Sequence, residues 1–200
     1  MPNFPWMQFS APDTILALPN PGADIPYAQA MWRYARSLAA TAKGDFTGAE
    51  AEANAITGIA NKADFSALQA VGIPATDVLK LARALADGRL AQAQGDSQVA
   101  IASFEEAAAL QDGLPYTEPP FWYYPVRQTL AAALLQAGRL DEAEAQFKRA
   151  LERAPNNGWS YYGLAKVYAA QGNAAAAKQA EENLAKTWIG NRSLLQLSKL

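Results

Sequence analysis

Two pairs of adjacent carboxylates are the side chains of this sequence best suited to reaction chemistry. Glu105-Glu106 and Glu181-Glu182 supply the residue type that serves as general acid or base in many enzymes. Adjacent residues of a helix diverge by roughly 100°, so the two carboxylates of a pair do not face one reacting atom. We therefore interpret both pairs as solvated helix surface.

Histidine and cysteine are absent from the 200 residues. This excludes Ser-His-Asp and Cys-His arrangements, the usual zinc sites, and the side chain best suited to proton transfer near neutral pH. No glycine-rich phosphate loop occurs either. The sequence predicts no catalytic residue, no metal site and no cofactor, and therefore a protein that is not an enzyme.

The charge pattern argues against two further classes of partner. Seventeen basic and nineteen acidic residues leave a net charge of -2, without a block of like charge that would attract nucleic acid or an anionic membrane. No uncharged apolar run is long enough to cross a bilayer. We expect a cytoplasmic protein that binds neither nucleic acid nor membrane.

A proline-rich and aromatic segment at 115–123, here called the aromatic loop, is the most distinctive candidate binding surface. Trp122 and Tyr123 lie near its end, and Arg127 follows shortly after it. Prolines stiffen such a loop, and large rigid rings form binding hot spots at low entropic cost. The alternative, which we favour, is structural: the rings fill the gap that the insertion makes in the core.

Four glycines mark a repeat along the chain. Gly44, Gly95, Gly138 and Gly172 are each followed five residues later by alanine, and the last two are 34 residues apart. This period and pattern resemble the tetratricopeptide repeat (TPR), in which a helix, a tight turn and a second helix form one unit. The copy at 124–157 matches the repeat at Leu130, Ala131, Leu134, Gly138, Leu140, Ala143, Phe147, Ala150 and Pro155.

The resemblance implies an all-α fold, an α-α superhelix of about four antiparallel helix pairs. Helices are predicted near 27–43, 45–61, 76–94, 96–110, 122–137, 139–153, 158–171 and 173–188. The expected domains are an irregular proline-rich segment at 1–26, a TPR-like domain at 27–189 and a C-terminal capping tail at 190–200. The repeats are expected near 30–62, 81–114, 124–157 and 158–189, with the aromatic loop inserted before the third.

The segment Tyr-Thr-Glu-Pro-Pro-Phe-Trp-Tyr-Tyr-Pro-Val-Arg at 116–127 carries a closer resemblance. It is similar to the C-terminal region of a family of longer bacterial TPR-containing proteins with a Y-x-E-P-P-x-W-Y-Y-P-V-R stretch ahead of their last repeats. Those proteins carry histidine-bearing motifs further toward the N-terminus, and this chain has no histidine. The resemblance therefore implies no activity and carries over no site residue.

In TPR solenoids the first helix of each pair lines the concave face, so repeat positions 2, 5, 9 and 12 point toward a partner. On this face we expect partner contacts from Arg89, Gln128, Trp159, Tyr162 and Lys166, joined by the aromatic-loop candidates Trp122, Tyr123 and Arg127. The alternative for the face is ordinary solvated surface.

The function we expect is that of a non-catalytic interaction or scaffold module that binds a peptide or protein through its concave face or the aromatic loop. The alternative is an accessory domain of a larger enzyme, or a small-ligand binder that uses the Trp and Tyr cluster at 116–127. The leucines of the tail, Leu194, Leu195, Leu197 and Leu200, are expected to fold back and cover the last helix. If they were free, they would favour a homo-oligomer.

Overall fold

The computed structural model describes residues 10–200, and helices account for most of them. The α-helices are α1 (Pro12–Leu16), α2 (Pro26–Ala42), α3 (Phe46–Lys62), α4 (Ser66–Ala70), α5 (Ala75–Ala93), α6 (Ser97–Gly113), α7 (Val126–Gln136), α8 (Leu140–Arg153), α9 (Gly158–Ala170) and α10 (Ala174–Thr187). Two 3-10 helices follow at Arg192–Leu194 and Leu197–Lys199. The part of the chain described contains no strand, and the predicted all-α fold is confirmed.

Glycine makes the corner between the two helices of each pair. Gly44, Gly95, Gly138 and Gly172 have φ values of 77°, 84°, 75° and 73°, in the left-handed region where a Cβ atom is unfavourable. They lie between α2 and α3, α5 and α6, α7 and α8, and α9 and α10. The predicted positions of these corners are confirmed.

In three of these pairs the residue after the corner glycine is the N-cap of the second helix. Asp45 accepts a hydrogen bond from the Gly48 amide (2.9 Å), and Asp96 accepts one from the Val99 amide (3.0 Å). Asn173 has the same role at α10. Each cap satisfies an amide that has no partner within its helix, which fixes where the helix starts.

The chain divides into two compact units, with the boundary between Tyr123 and Tyr124. In the first unit α2 pairs with α3 and α5 with α6, and α5 also packs against both helices of the first pair. In the second unit α7 pairs with α8 and α9 with α10, and α9 packs against α7 and α8. Each unit is therefore two helix pairs stacked side by side.

Close packing within the units depends on large residues set against glycine. A Cβ atom on Gly88 would come within 2.4 Å of the Phe104 ring, and one on Gly163 within 2.1 Å of the Phe147 ring. Both phenylalanines are completely buried. The missing Cβ leaves room for the ring against the neighbouring helix, which lets the two helices pack closely.

The first described helix, α1, is tied to α2 by polar contacts. The indole N–H of Trp32 donates to the Leu18 carbonyl (3.0 Å), and Arg36 donates to the Leu16 carbonyl (2.9 Å). Glu52 of α3 accepts from Arg36 as well (2.6 Å). The predicted irregular segment at 1–26 thus contains one short helix, while residues 1–9 of that segment lie outside the described residues.

Two local features differ from the predicted helix boundaries. Helix α7 begins at Val126 rather than near 122, because Pro125 stands just before it and restricts the preceding residues to extended backbone. The connection between the first two pairs contains the extra helix α4, for which the sequence shows no periodic pattern long enough to predict it.

Candidate partner-binding surface

Trp122 of the aromatic loop is part of the core of the first unit. Only 1% of it is exposed. Its ring meets the Tyr34 ring of α2 edge-on, with 5.5 Å between centroids, and lies 5.4 Å from the Tyr123 ring. This corrects the expectation that Trp122 faces a partner, and it supports the structural interpretation of the loop.

Tyr116, by contrast, presents its ring to solvent with 84% exposed. Its hydroxyl donates to the carboxylate of Glu118, two residues along the loop. That hydrogen bond and the nearby negative charge raise the pKa of Tyr116 above its ordinary value. The exposed part of the loop is thus held by a local contact, while Tyr123 is half-buried.

Gln128 and Arg127, predicted to contact a partner, both make contacts inside the second unit. Gln128 is 1% exposed, and its side-chain oxygen accepts a hydrogen bond from Asn157 (2.8 Å). Arg127 is half-buried and donates to Gln146 of α8 (2.5 Å). Gln128 therefore joins α7 to the start of α9, and its burial corrects the expectation of a partner contact.

Arg89 lies in the first unit on α5 and is half-buried. Its guanidinium carbon is 5.5 Å from the centre of the Phe104 ring, a cation–π arrangement, and it donates to the Gln92 side chain at 3.2 Å. These contacts hold the guanidinium of Arg89 against Phe104 of α6 and Gln92 of α5.

Three predicted residues do form one surface, on α9 of the second unit. Trp159, Tyr162 and Lys166 are three and four residues apart, a spacing that places them on one face of a helix. Lys166 is exposed, and its ammonium lies 5.4 Å from the centre of the Tyr162 ring. Trp159 and Tyr162 are half-buried. We call these residues the α9 stripe.

The start of α9 is held firmly, which orients the α9 stripe. Asn157 caps the helix by accepting from the Ser160 amide (3.2 Å). The Trp159 ring meets the Trp188 ring edge-on, with 5.2 Å between centroids. A Cβ atom on Gly158 would lie only 3.0 Å from Trp188. The first residue of the stripe is therefore packed in place rather than free to rotate.

A hydrogen-bonded carboxylate ties α9 to α8 on another part of its surface. Glu144 accepts from Lys148 (2.6 Å), Tyr168 (3.2 Å) and Gln171 (3.1 Å). These donors, the Lys148 ammonium first, lower the pKa of Glu144 below its ordinary value. Burial, together with the Glu144 charge, raises the pKa of Tyr168.

Thr129 is a contact residue that the sequence analysis missed. Its hydroxyl, on α7, is buried and donates to the main-chain oxygen of Leu200 at 2.8 Å. Threonine inside a helix is ordinarily interpreted as a local hydrogen-bonding residue, so the sequence carries no signal for a partner 71 positions away.

Across residues 10–200 no group of three or more acidic, histidine or cysteine side chains is placed to hold a metal ion. None of the helices described is both long enough and apolar enough to span a membrane.

Comparison with known proteins gives a match to a family model over part of the chain. Residues 134–184, which contain the second half of the α7–α8 pair and most of the α9–α10 pair, match the family model described as tetratricopeptide repeat. No curated protein and no solved structure matches the chain. The match supports a TPR protein, and repeats of this family generally mediate protein–protein interactions. The similarity to longer bacterial proteins stays a prediction.

Proposed function

We propose that this chain is a non-catalytic interaction module that binds a peptide or protein segment through the α9 stripe. The observation that carries the proposal is the placement of Trp159, Tyr162 and Lys166 on one face of a first helix, inside the residues that match the TPR family model. First helices of TPR pairs are the ones that meet partners, so the stripe lies on the expected helix of the repeat.

The chemistry of the stripe indicates the kind of segment it fits. Two large aromatic rings supply apolar contact area at low entropic cost, and the exposed ammonium of Lys166 supplies one positive charge beside them. An apolar side chain followed by a carboxylate would satisfy both. We therefore propose a partner segment that carries aliphatic residues next to an acidic one.

Arg89, Tyr123 and Arg127 remain further candidates, because each is only half-buried. Part of each side chain lies at the surface of its own unit, beside the contacts that the residue makes. The Trp122 ring packs against the rings of Tyr34 and Tyr123, and these contacts argue against a small-ligand site at Trp122.

A charge reversal at Lys166 tests the proposal. A displayed library of random short peptides is selected on the full chain, and the affinity of the enriched peptides is measured by titration. We expect enrichment of acidic and aliphatic residues, and a loss of about fivefold in affinity, or about 1 kcal/mol, for Lys166→Glu.

Lys178→Glu is the matched control, because Lys178 is an exposed lysine on the second helix α10. It makes the same change of net charge, so a general electrostatic effect would appear in both variants. Equal affinity losses for the two variants, or none for either, would show that the α9 stripe is not the binding surface.

A further inference from the structure

The C-terminal tail, residues 190–200, ends against a first helix of the second unit. It follows α10, a second helix, yet both of its flanking contacts are to first helices. Just before the tail, Trp188 packs against Trp159 of α9. At its far end the Leu200 main-chain oxygen accepts from Thr129 of α7.

Two leucines anchor the tail. Leu195 is 8% exposed and Leu200 is 1% exposed, and they stand five residues apart. The Thr129 hydroxyl that bonds Leu200 is itself buried, so it relies on this acceptor for its hydrogen bond. The buried Thr129 hydroxyl therefore forms a seat, here called the Thr129 seat, for a main-chain oxygen whose residue also buries an aliphatic side chain.

The rest of the tail is held loosely. Asn191, Arg192 and Ser193 are exposed, and the regular structure is limited to two three-residue 3-10 helices. The Arg192–Glu181 ion pair is long (3.5 Å) and exposed, so it contributes little. Two buried leucines must offset the entropy lost by ordering the whole segment.

The seated tail also leaves one polar group unsatisfied. The indole nitrogen of Trp188 is buried and has no hydrogen-bond partner among the described residues. A buried donor without an acceptor destabilises the arrangement that buries it. Gly190 of the tail lies against this indole, since a Cβ atom on Gly190 would be 3.4 Å from the indole nitrogen. Release of the tail would remove Gly190 from the indole, which favours an equilibrium between seated and released states.

We propose that the tail is an intramolecular ligand that occupies the Thr129 seat and is displaced by a partner segment of the same chemistry. That segment carries two aliphatic side chains five residues apart and presents a main-chain oxygen to Thr129. The inference rests on the proposed function, since Thr129 lies on α7, a first helix of the same unit as α9, which carries the α9 stripe. The tail then limits access to the Thr129 seat until a partner competes for it.

The test uses the full chain and a labelled peptide with the tail sequence, residues 190–200, as the probe. Peptide binding to wild type is compared with binding to the double variant Leu195→Ser/Leu200→Ser, whose own tail lacks both anchors. If the wild-type seat is occupied nine-tenths of the time, its apparent Kd is about tenfold weaker than that of the double variant. Adding Thr129→Val to the double variant should weaken peptide binding again.

Leu194→Ser is the matched control, because Leu194 is a tail leucine that stays exposed. It should bind the peptide as wild type does. Equal affinity of wild type and the double variant, or no binding by either, would overturn the proposal. A wild-type dimer that dissociates in the double variant would overturn it too, since the tail would then sit on a second copy.

Hydrogen exchange on the wild-type chain gives a readout that does not depend on the variants folding. An excess of the peptide should speed exchange of the amides in the tail, including those of Leu195 and Leu200, which bond within the 3-10 turns. Bound peptide with unchanged tail exchange would overturn displacement. This experiment does not depend on Lys166, so a failure of tail displacement can be distinguished from a failure of the α9 stripe to bind a partner.

Discussion

The edge of the Trp122 indole meets the ring of Tyr34 with 5.5 Å between centroids and 66° between the planes. Tyr34 belongs to the first helix pair, whereas Trp122 lies beyond the second, at the end of the aromatic loop. Both side chains are almost completely buried. The contact therefore brings the last residues of the first unit back onto its first long helix.

Replacing Trp122 with alanine should strongly destabilise the first unit. Removal of a buried tryptophan leaves a cavity and costs about 3–5 kcal/mol. Equilibrium urea unfolding followed by circular dichroism should show the loss, and Trp122→Phe should lose less. The control is Tyr116→Ala in the exposed part of the same loop, expected within about 0.5 kcal/mol of wild type. Equal effects of the two alanine variants would contradict the burial of Trp122.

Two glycine-to-alanine substitutions should change the free energy of unfolding in opposite directions. Gly163→Ala places a Cβ atom within 2.1 Å of the buried Phe147 ring and should cost about 1–3 kcal/mol through overpacking. Gly58→Ala, inside α3 with nothing within 4 Å of the added atom, should stabilise by about 0.5–1 kcal/mol. Thermal unfolding of the two variants measures both. Stabilisation by Gly163→Ala would mean that α8 and α9 do not approach this closely.

The stability that the N-terminal cap of α6 contributes should be measurable by substituting Asp96 alone. Asp96→Ala removes the acceptor for the Val99 amide and should cost about 1 kcal/mol. Asp96→Asn keeps an acceptor oxygen, so it should recover most of that stability. Urea midpoints of the three proteins decide the matter, and an asparagine variant as unstable as the alanine variant would argue for charge rather than capping.

Glu144 should make stability depend on acid pH. Its pKa is lowered in the folded protein, so its contribution is present above the ordinary value of 4.5 and is lost as pH falls through the lower folded pKa. Because the group is partly solvated, the contribution should stay below about 1 kcal/mol. Wild type should exceed Glu144→Gln in urea midpoint near pH 7, and the difference should shrink between about pH 5 and pH 3.

Glu182→Gln on α10 is the control for Glu144, because it removes an exposed carboxylate of the same charge. Its difference from wild type is measured over the same pH range, so that a change common to both variants is recognised. A constant difference for Glu144→Gln, or the same trend in both variants, would mean that the contacts to Lys148, Tyr168 and Gln171 do not hold the carboxylate in its ionised form.

Much of the fold is predictable from local sequence. Glycines with alanines five residues later mark the corners, and the predicted helices coincide with those observed to within a few residues. The late start of α7 has a local cause as well, since Pro125 excludes helix before it. These features depend on residues close together in the chain, which a repeat pattern records.

The candidate surface is less predictable, because exposure depends on what distant residues cover. Repeat positions place Gln128 on the partner face, but Asn157 bonds it and its side chain is buried. Trp122 has the composition of a binding loop, and only its contact with Tyr34 reveals a core residue. The Thr129–Leu200 contact spans 71 positions and leaves no trace in any periodicity.

That span has a consequence for biosynthesis. A ribosome that has just translated Thr129 must add 71 further residues before the acceptor for its hydroxyl exists. During that interval the nascent helix pairs carry an uncovered patch, the kind of surface that chaperones and neighbouring chains recognise. The second unit therefore cannot complete its packing until residue 200 has been added. Slow elongation over the last codons would lengthen the time during which the patch is uncovered.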